Sequence, residues 1–303
     1  MGTFNRCQKD RLLAIRGAIT LDLRDYSISL KELDYRSLVK LIYDKSGINL
    51  GDHKQELLKT RLGKRLRALG LKSYGEYFKY AIDPSNVEEL TLLINAISTN
   101  FTSFYRESQH YDFLLKTALD EIAKKKQALR SNRIRAWCAA ASSGEEPYSL
   151  ALTLLEYFKG ASDWDIKLLA TDISSKVLSV AFQGIYSQEK VKGVSPFLLD
   201  RYFDKEFEEK NTMYRIKDEV KRLIVFRRLN LMDPVFPFQG QFDFIFCRNV
   251  MIYFDLPTQE ILVAKLLKYL VPGGYLFTSH SENLPLVSRA QVEAIAPATY
   301  RKI

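Results

Sequence analysis

From Asp34 to about Tyr80 apolar residues recur at three- and four-residue spacing, the pattern of amphipathic helices. Asp34 is expected to cap a first helix running to about Lys45, with Gly47 as its stop. A second helix is expected from about His53 to Leu69, ending before Gly70, and Ser73 opens a short third one that closes near Asp83-Pro84. A connecting helix follows from about Val87 to Ser98, and then the period changes. Arg133–Ala140, Ile166–Thr171, Leu223–Leu229, Phe242–Cys247 and Tyr275–Thr278 predict strands; Glu146–Phe158, Ser174–Ala181 and Pro257–Leu270 predict helices. Apolar strands alternating with helices imply an α/β fold, a doubly wound, Rossmann-like parallel sheet covered on both faces. Between Phe182 and Arg222 the rhythm breaks into a helix (Pro196–Tyr202), an acidic-polar turn (DKEFEEKN) and a short alternating strand (TMYRIK), the pattern of a small inserted β-subdomain. The expected division is an extension (1–30), an all-helical domain (31–92) and an α/β domain (93–303) with an insertion at about 183–222.

Composition narrows the class. The 303 residues are 47% hydrophobic and 27% charged, an ordinary globular balance for one large domain and a small one. No apolar run approaches the roughly 20 residues that span a bilayer, and the first residues lack a secretion signal's apolar core and cleavage site. The Met-Gly start lacks the Ser or Thr that myristoylation requires. Cys7, Cys138 and Cys247 form neither a metal spacing nor an even disulfide set, and the three histidines are too dispersed to argue for a metal. A reduced, cytoplasmic protein acting as a monomer without membrane insertion is expected. The net charge of +9 favours an acidic partner. Eleven Lys and Arg against five Asp and Glu between residues 34 and 80 place most of that excess on the helical domain. On its second helix Leu58, Leu62, Leu66 and Leu69 form the core stripe, and Lys54, Arg61 and Arg65 cluster beside it. That ridge suits an acidic helix; charge on a solvated face is the plainer reading.

Candidate chemistry gathers at strand ends, where open α/β sheets bind ligands. FDFIFCRNVMIYF (242–254) is a buried-strand pattern running into Arg248, Asn249 and Tyr253. The first strand runs into Ser142-Ser143-Gly144-Glu145-Glu146-Pro147, whose small residues would let a ligand approach the backbone. It lacks G-x-G-x-x-G and the P-loop lysine, and its two carboxylates would repel phosphate and suit a cationic amine; an ordinary helix start is the alternative. Asp172 closes the second strand, where an acidic residue grips ribose hydroxyls or caps the next helix. Asn230-Leu231 offers an amide and an apolar wall to a flat base. Arg106, in a loop rich in rings, is suited to orienting a carboxylate through its planar fork. His280, Glu282 and Asn283 follow the last central strand, and no Ser-His-Asp or Cys-His set is legible.

The runs STNFTSFYRE (98–107), AAASSGEEPYSLA (139–151), ATDIS (170–174), GIYSQE (184–189), LLDRYF (198–203), FDFIFCRNVMIYFD (242–255), VPGGYLF (271–277) and HSENL (280–284) occur in the order seen in the chemoreceptor glutamate methyltransferases of bacterial chemotaxis, the CheR type. The chain resembles that family, and SGINL and RLGKRLRALG extend the likeness into the helical domain. The resemblance implies a fold dependent on S-adenosylmethionine, with S-adenosylhomocysteine as product. It implies that Asn100, Thr102 and Arg106 contact the cofactor's methionine end, Glu146 faces its amino group and Asp172 holds the ribose. Asn230 and Leu231 would lie by the adenine, Arg248 and Asn249 near the centre, and Arg106 and Tyr253 would position the acceptor. Its implied substrate is a glutamate carboxylate on the cytoplasmic acidic helices of chemoreceptors, recruited by Lys54, Arg61 and Arg65. Two departures stand out: DKEFEEKN lacks the glycines of members that clamp a receptor tail peptide, and Ser279 replaces a usual Gly. An ionised acceptor carboxylate needs no general base. The rivals are an RNA or DNA methyltransferase, against which the basic segment shows no RNA-binding motif, and a non-catalytic cofactor-binding scaffold.

Overall fold

The computed structural model describes residues 28–51, 53–159, 163–208 and 211–303; the reading of residues 1–27 as an extension lies outside them. The helical domain comprises α1 (Glu32–Ser46), α2 (Gln55–Leu69), α3 (Tyr74–Ile82) and α4 (Val87–Ile97). Leu38, Ile42, Leu58, Leu62, Leu66, Tyr77, Leu93 and Ile97 fill its core. Gly47 and Gly70 end α1 and α2 in the left-handed conformation, and the Ser73 hydroxyl accepts the Glu76 N–H to cap α3. α1 starts earlier than the pattern predicts: Lys31 is the N-cap and Asp34 lies within the first turn, where the helix dipole still favours its charge.

The basic ridge turns partly inward. Arg65 pairs with the buried Glu89 of α4, whose carboxylate also accepts the Tyr77 hydroxyl at 2.8 Å. Arg61 donates to the carbonyls of Ala96, Ile97 and Ser98, the unpaired end of α4. Both guanidinium groups fasten α4 to α2, while Lys54 stays exposed.

The α/β domain carries β1 (Arg133–Ala139), β2 (Asp165–Asp172), β3 (Ile185–Ser187), β4 (Phe203–Glu208), β5 (Asn211–Ile216), β6 (Ile224–Arg228), β7 (Phe242–Cys247), β8 (Leu270–Phe277), β9 (Val292–Ala296) and β10 (Thr299–Lys302). The main sheet has the order β6-β2-β1-β7-β8-β10-β9. Its first five strands are parallel, and β10 and β9 join antiparallel, so one edge departs from the all-parallel expectation. β9 and β10 are short and only partly buried, which is why no apolar run announces them. α5 (Gln109–Phe113) and α6 (Leu119–Ala128), joined by a π-helical turn, form a segment that the pattern did not separate from the preceding loop. α7 (Glu145–Tyr157), α8 (Ser175–Gln183), α9 (Pro196–Tyr202), α10 (Asp218–Lys221) and α11 (Leu256–Lys268) complete the fold.

β7 shows why its sequence is so apolar. Phe244 and Phe246 enter the core on one face, Ile245 and Cys247 the core on the other. Asp243, the exception, pairs with Lys126 at 2.7 Å and accepts the Arg135 N–H at 2.8 Å, so its buried charge is matched. In the insertion, DKEFEEKN does not form a turn along its length: Phe203–Glu208 pairs with Asn211–Ile216, and β3 completes a three-stranded antiparallel sheet. Asp204 and Glu206 lie on an edge strand, and Glu206 meets Arg215 of the neighbouring β5.

Gly144 stands at a close approach. It has φ +99, and a Cβ there would lie 2.6 Å from the Tyr186 hydroxyl and 2.9 Å from Ala181 Cβ. The small residue therefore admits α8 and the insertion rather than a ligand. Gly144→Ala is expected to lower stability by about 2–4 kcal/mol, from a strained φ and an overpacked contact, read as a shift of the urea midpoint. Arg65→Met, which strands the Glu89 carboxylate, is expected to cost about 3 kcal/mol in the same measurement.

Candidate active site

The carboxyl ends of β1, β2 and β7 open on a cleft holding about 1110 Å³ of empty space, open solvent at its mouth included. The helical domain supplies one wall through Ile48, Leu50 and Leu57. It is held there by Asn230 Nδ2 donating to the Lys45 carbonyl (2.8 Å), the Asn49 N–H donating to the Tyr253 carbonyl (2.8 Å) and the Tyr43 hydroxyl on Asp255 (2.9 Å). Gly47, at φ +72, sits against Met232 and Phe254, and a Cβ there would lie 2.5 Å from the Met232 Sδ.

Arg248 is the centre of the charged wall. Its side chain is fully buried. Nη1 donates to Glu146 Oε2 at 2.8 Å, and Nη2 donates to the Arg106 carbonyl at 2.5 Å and lies 3.3 Å from Glu107 Oε2. Burial acts against the Arg248 charge, but Glu146 and Glu107 override it and hold its pKa above the ordinary value. Burial pushes the Glu146 carboxyl up, with Arg248 opposing. Glu107 goes the other way: burial would raise it, but Arg248, the His280 N–H and the Ser279 hydroxyl together bring it down. The two acidic residues of the β1–α7 turn have separate fates: Glu145 is buried against Lys190 of the insertion at 2.8 Å, and only Glu146 reaches the cavity.

Asp172 is buried at the end of β2. Its Oδ2 accepts the Ser142 N–H (2.9 Å) and its Oδ1 the Ser174 N–H (2.8 Å). Ser174, not Asp172, caps α8 through the Val177 N–H. Each Asp172 oxygen retains capacity for a further donor, and burial raises its pKa. Ala140 and Ser142 between these carboxylates have φ of 68° and 48°, and Tyr105, Glu107 and Asn249 are also left-handed. Non-glycine residues in this region are strained, and such strain clusters at functional sites.

Asn100, Thr102, Arg106, Glu146, Asp172, Asn230, Leu231, Arg248, Asn249 and Tyr253 all line this one cavity, and Lys54 joins them. Arg61 and Arg65 do not, being engaged with α4. Asn230 Nδ2 donates to the Lys45 carbonyl and its Oδ1 accepts the Met232 N–H, so the amide ties the two domains together with one of its two donor hydrogens; Leu231 adds apolar wall. Arg106 donates to the Phe101 carbonyl at 3.0 Å and lies over the Phe101 ring. The sequence reading missed Glu107 and the helical-domain wall. An acidic residue directly after Arg106 was the available signal for the first; nothing in the local pattern marks Ile48 or Leu57. His110 and His280, far apart in the chain, stack at 4.8 Å beside Glu107. Arg248 Nη2 lies 3.3 Å from the same Glu107 oxygen that faces both rings. Burial, with Arg248 near, holds the His110 pKa down at about 4, so its ring is neutral at pH 7.

The cavity therefore combines two buried carboxylates raised by desolvation with apolar walls from Leu229, Leu231 and Ile48. These features fit a flat base, a ribose diol and a cationic amine carried on one molecule. Two family models match the chain: the CheR methyltransferase SAM binding domain over residues 100–300, and the CheR methyltransferase all-alpha domain over residues 33–98. The chain is 39% identical over 277 residues to the chemotaxis protein methyltransferase of Borreliella burgdorferi, covering 91% of this chain and 96% of that one. It is 40% identical over 256 residues to that of Salmonella typhimurium (84% and 85% covered) and 38% over 262 residues to that of Escherichia coli (86% and 88%). The chain belongs to the CheR methyltransferase family and is an S-adenosylmethionine-dependent methyltransferase.

Proposed function

We propose that this methyltransferase esterifies glutamate side chains on the cytoplasmic acidic helices of chemoreceptors, acting as a cytoplasmic monomer in chemotaxis-type signalling. The supporting observation is the meeting in one cavity of Glu146 and Asp172, suited to a cationic nucleoside, with Arg106 and Tyr253, suited to a carboxylate. The names of the relatives support the pathway. No helix among the described residues is long and apolar enough to cross a membrane.

Bound S-adenosylmethionine supplies a methyl group on a positively charged sulfur. Glu146 would neutralise the amino group, Asp172 would accept from the ribose hydroxyls, and Leu231 would flank the base. Asn100, Thr102, Arg248 and Asn249 would shape the remainder of that cavity. Arg106 would orient the incoming carboxylate through its fork, since its bond to the Phe101 carbonyl uses one of five donors. Tyr253 would set the angle of approach. The acceptor is ionised at pH 7, so the chain needs no proton acceptor, and the rate gain comes from alignment, worth up to roughly 7–11 kcal/mol in well-oriented systems. With Arg61 and Arg65 turned inward, recruitment of an acidic helix would fall on Lys54 and the exposed Lys64 and Arg67 of the same helical domain. These charges act within about 8 Å at physiological salt.

Labelled cofactor with receptor cytoplasmic fragments is expected to give base-labile methyl esters on glutamate, abolished by Arg106→Ala; label appearing only in added RNA would overturn the assignment. Asp172→Ala is expected to weaken S-adenosylhomocysteine binding about 10- to 100-fold, the worth of charge-assisted hydrogen bonds of roughly 1.5–3 kcal/mol, measured by calorimetry. Burial raises the Glu146 and Asp172 carboxyls, so they protonate above the ordinary carboxylate range. Protonation removes the charge that attracts the cofactor's amine. Affinity is therefore expected to be full at pH 8 and to fall on acidification before ordinary carboxylates titrate.

A further inference from the structure

We infer that Glu282 is a positioning residue for methyl transfer: its buried carboxylate fixes the 248–253 turn and, through it, the placement of Asn249 and Tyr253. The inference rests on the reading of Tyr253 as part of the acceptor site. Glu282 is 5% exposed and lies five residues beyond the end of β8. Its Oε2 accepts the Ser279 N–H at 2.9 Å and the Asn249 N–H at 3.0 Å, and its Oε1 accepts the Ile252 N–H at 3.3 Å. Burial raises its pKa, and the Ser279, Asn249, Ile252 and Met251 amides oppose that by favouring the charged form. One carboxylate thus gathers the backbone of two strand ends, β7 and β8.

The need for it is visible in the turn. Met251–Tyr253 is a short 3-10 turn whose N-cap, Val250, supplies no side-chain cap. Its free N–H groups would otherwise be unpaired. Asn249 is held at φ 56°, a strained conformation for a non-glycine residue. The bond from its N–H to Glu282 holds that backbone, and its side-chain amide then reaches the Ser279 hydroxyl at 2.7 Å. With Asn249 so placed, Arg248 points to Glu146 and Tyr253 stands at the cavity wall. Glu282 itself does not line the cavity, so it acts through these residues and touches neither cofactor nor acceptor.

Glu282→Gln tests this. The amide has nearly the same shape but presents one acceptor atom and turns an NH₂ toward backbone N–H groups. The expected result is a fall in kcat of about 10- to 100-fold, the scale of an ångström of misplacement, with S-adenosylhomocysteine affinity kept within about threefold. The same substitution in a Tyr253→Phe background should cost much less, because both act through one ring. An unchanged kcat overturns the inference, as does equal cost in both backgrounds, or parallel loss of kcat, cofactor affinity and thermal midpoint. No effect of Tyr253→Phe alone would instead sink the acceptor-site reading. A measurement on the unmodified protein stands apart from folding of the variant: the Asn249 and Ile252 amides should exchange with solvent as slowly as those of β7, and exchange at loop rates overturns the inference.

Discussion

A single guanidinium, that of Arg248, sets the constraint on which the site is built. Removing such a charge from water costs several kcal/mol, and the cost is offset only by close, well-aligned partners. The chain meets this with Glu146 after β1, Glu107 in the loop before α5, and the Arg106 carbonyl. Each of these groups lies more than a hundred residues from Arg248 in the chain, and they must arrive together. The left-handed conformations at Tyr105, Glu107, Ala140, Ser142 and Asn249 accompany that convergence. Strain at so many non-glycine positions persists only where the surrounding packing over-determines the backbone.

The helical domain is part of the same arrangement. It closes one side of the cavity and is fastened by bonds to Tyr253 and to Asn230, residues at or beside the proposed site. Its basic residues divide accordingly. Arg61 and Arg65 spend their donors on α4 and keep the domain in shape, while Lys54 lines the cavity rim.

The histidine pair shows a limit of reading by position. His110 and His280 are 170 residues apart, yet they stack beside Glu107. Burial and the Arg248 charge keep His110 neutral. The departure at Ser279 has a similar lesson. Its hydroxyl accepts from the Asn249 amide and donates to Glu107, a link that the glycine expected from the resemblance would lack.

Periodicity alone determined most of the secondary structure, because a strand buried on both faces and a helix buried on one leave unmistakable apolar patterns, as in FDFIFC and in the stripe of α2. Motif order along the chain likewise determined the family and the cluster of residues at strand ends. The edge strands β4 and β9, and the short β10 beside β9, were illegible, since their pairing depends on a partner strand and not on burial of their own side chains. The tertiary structure alone decided which charges face inward. Glu145 and Glu146, adjacent in sequence, part to Lys190 and Arg248, and Asn230 turns to the helical domain. The physical reason is common to all three: a polar side chain is directed by whichever partner removes its desolvation cost, and that partner lies far away in the chain.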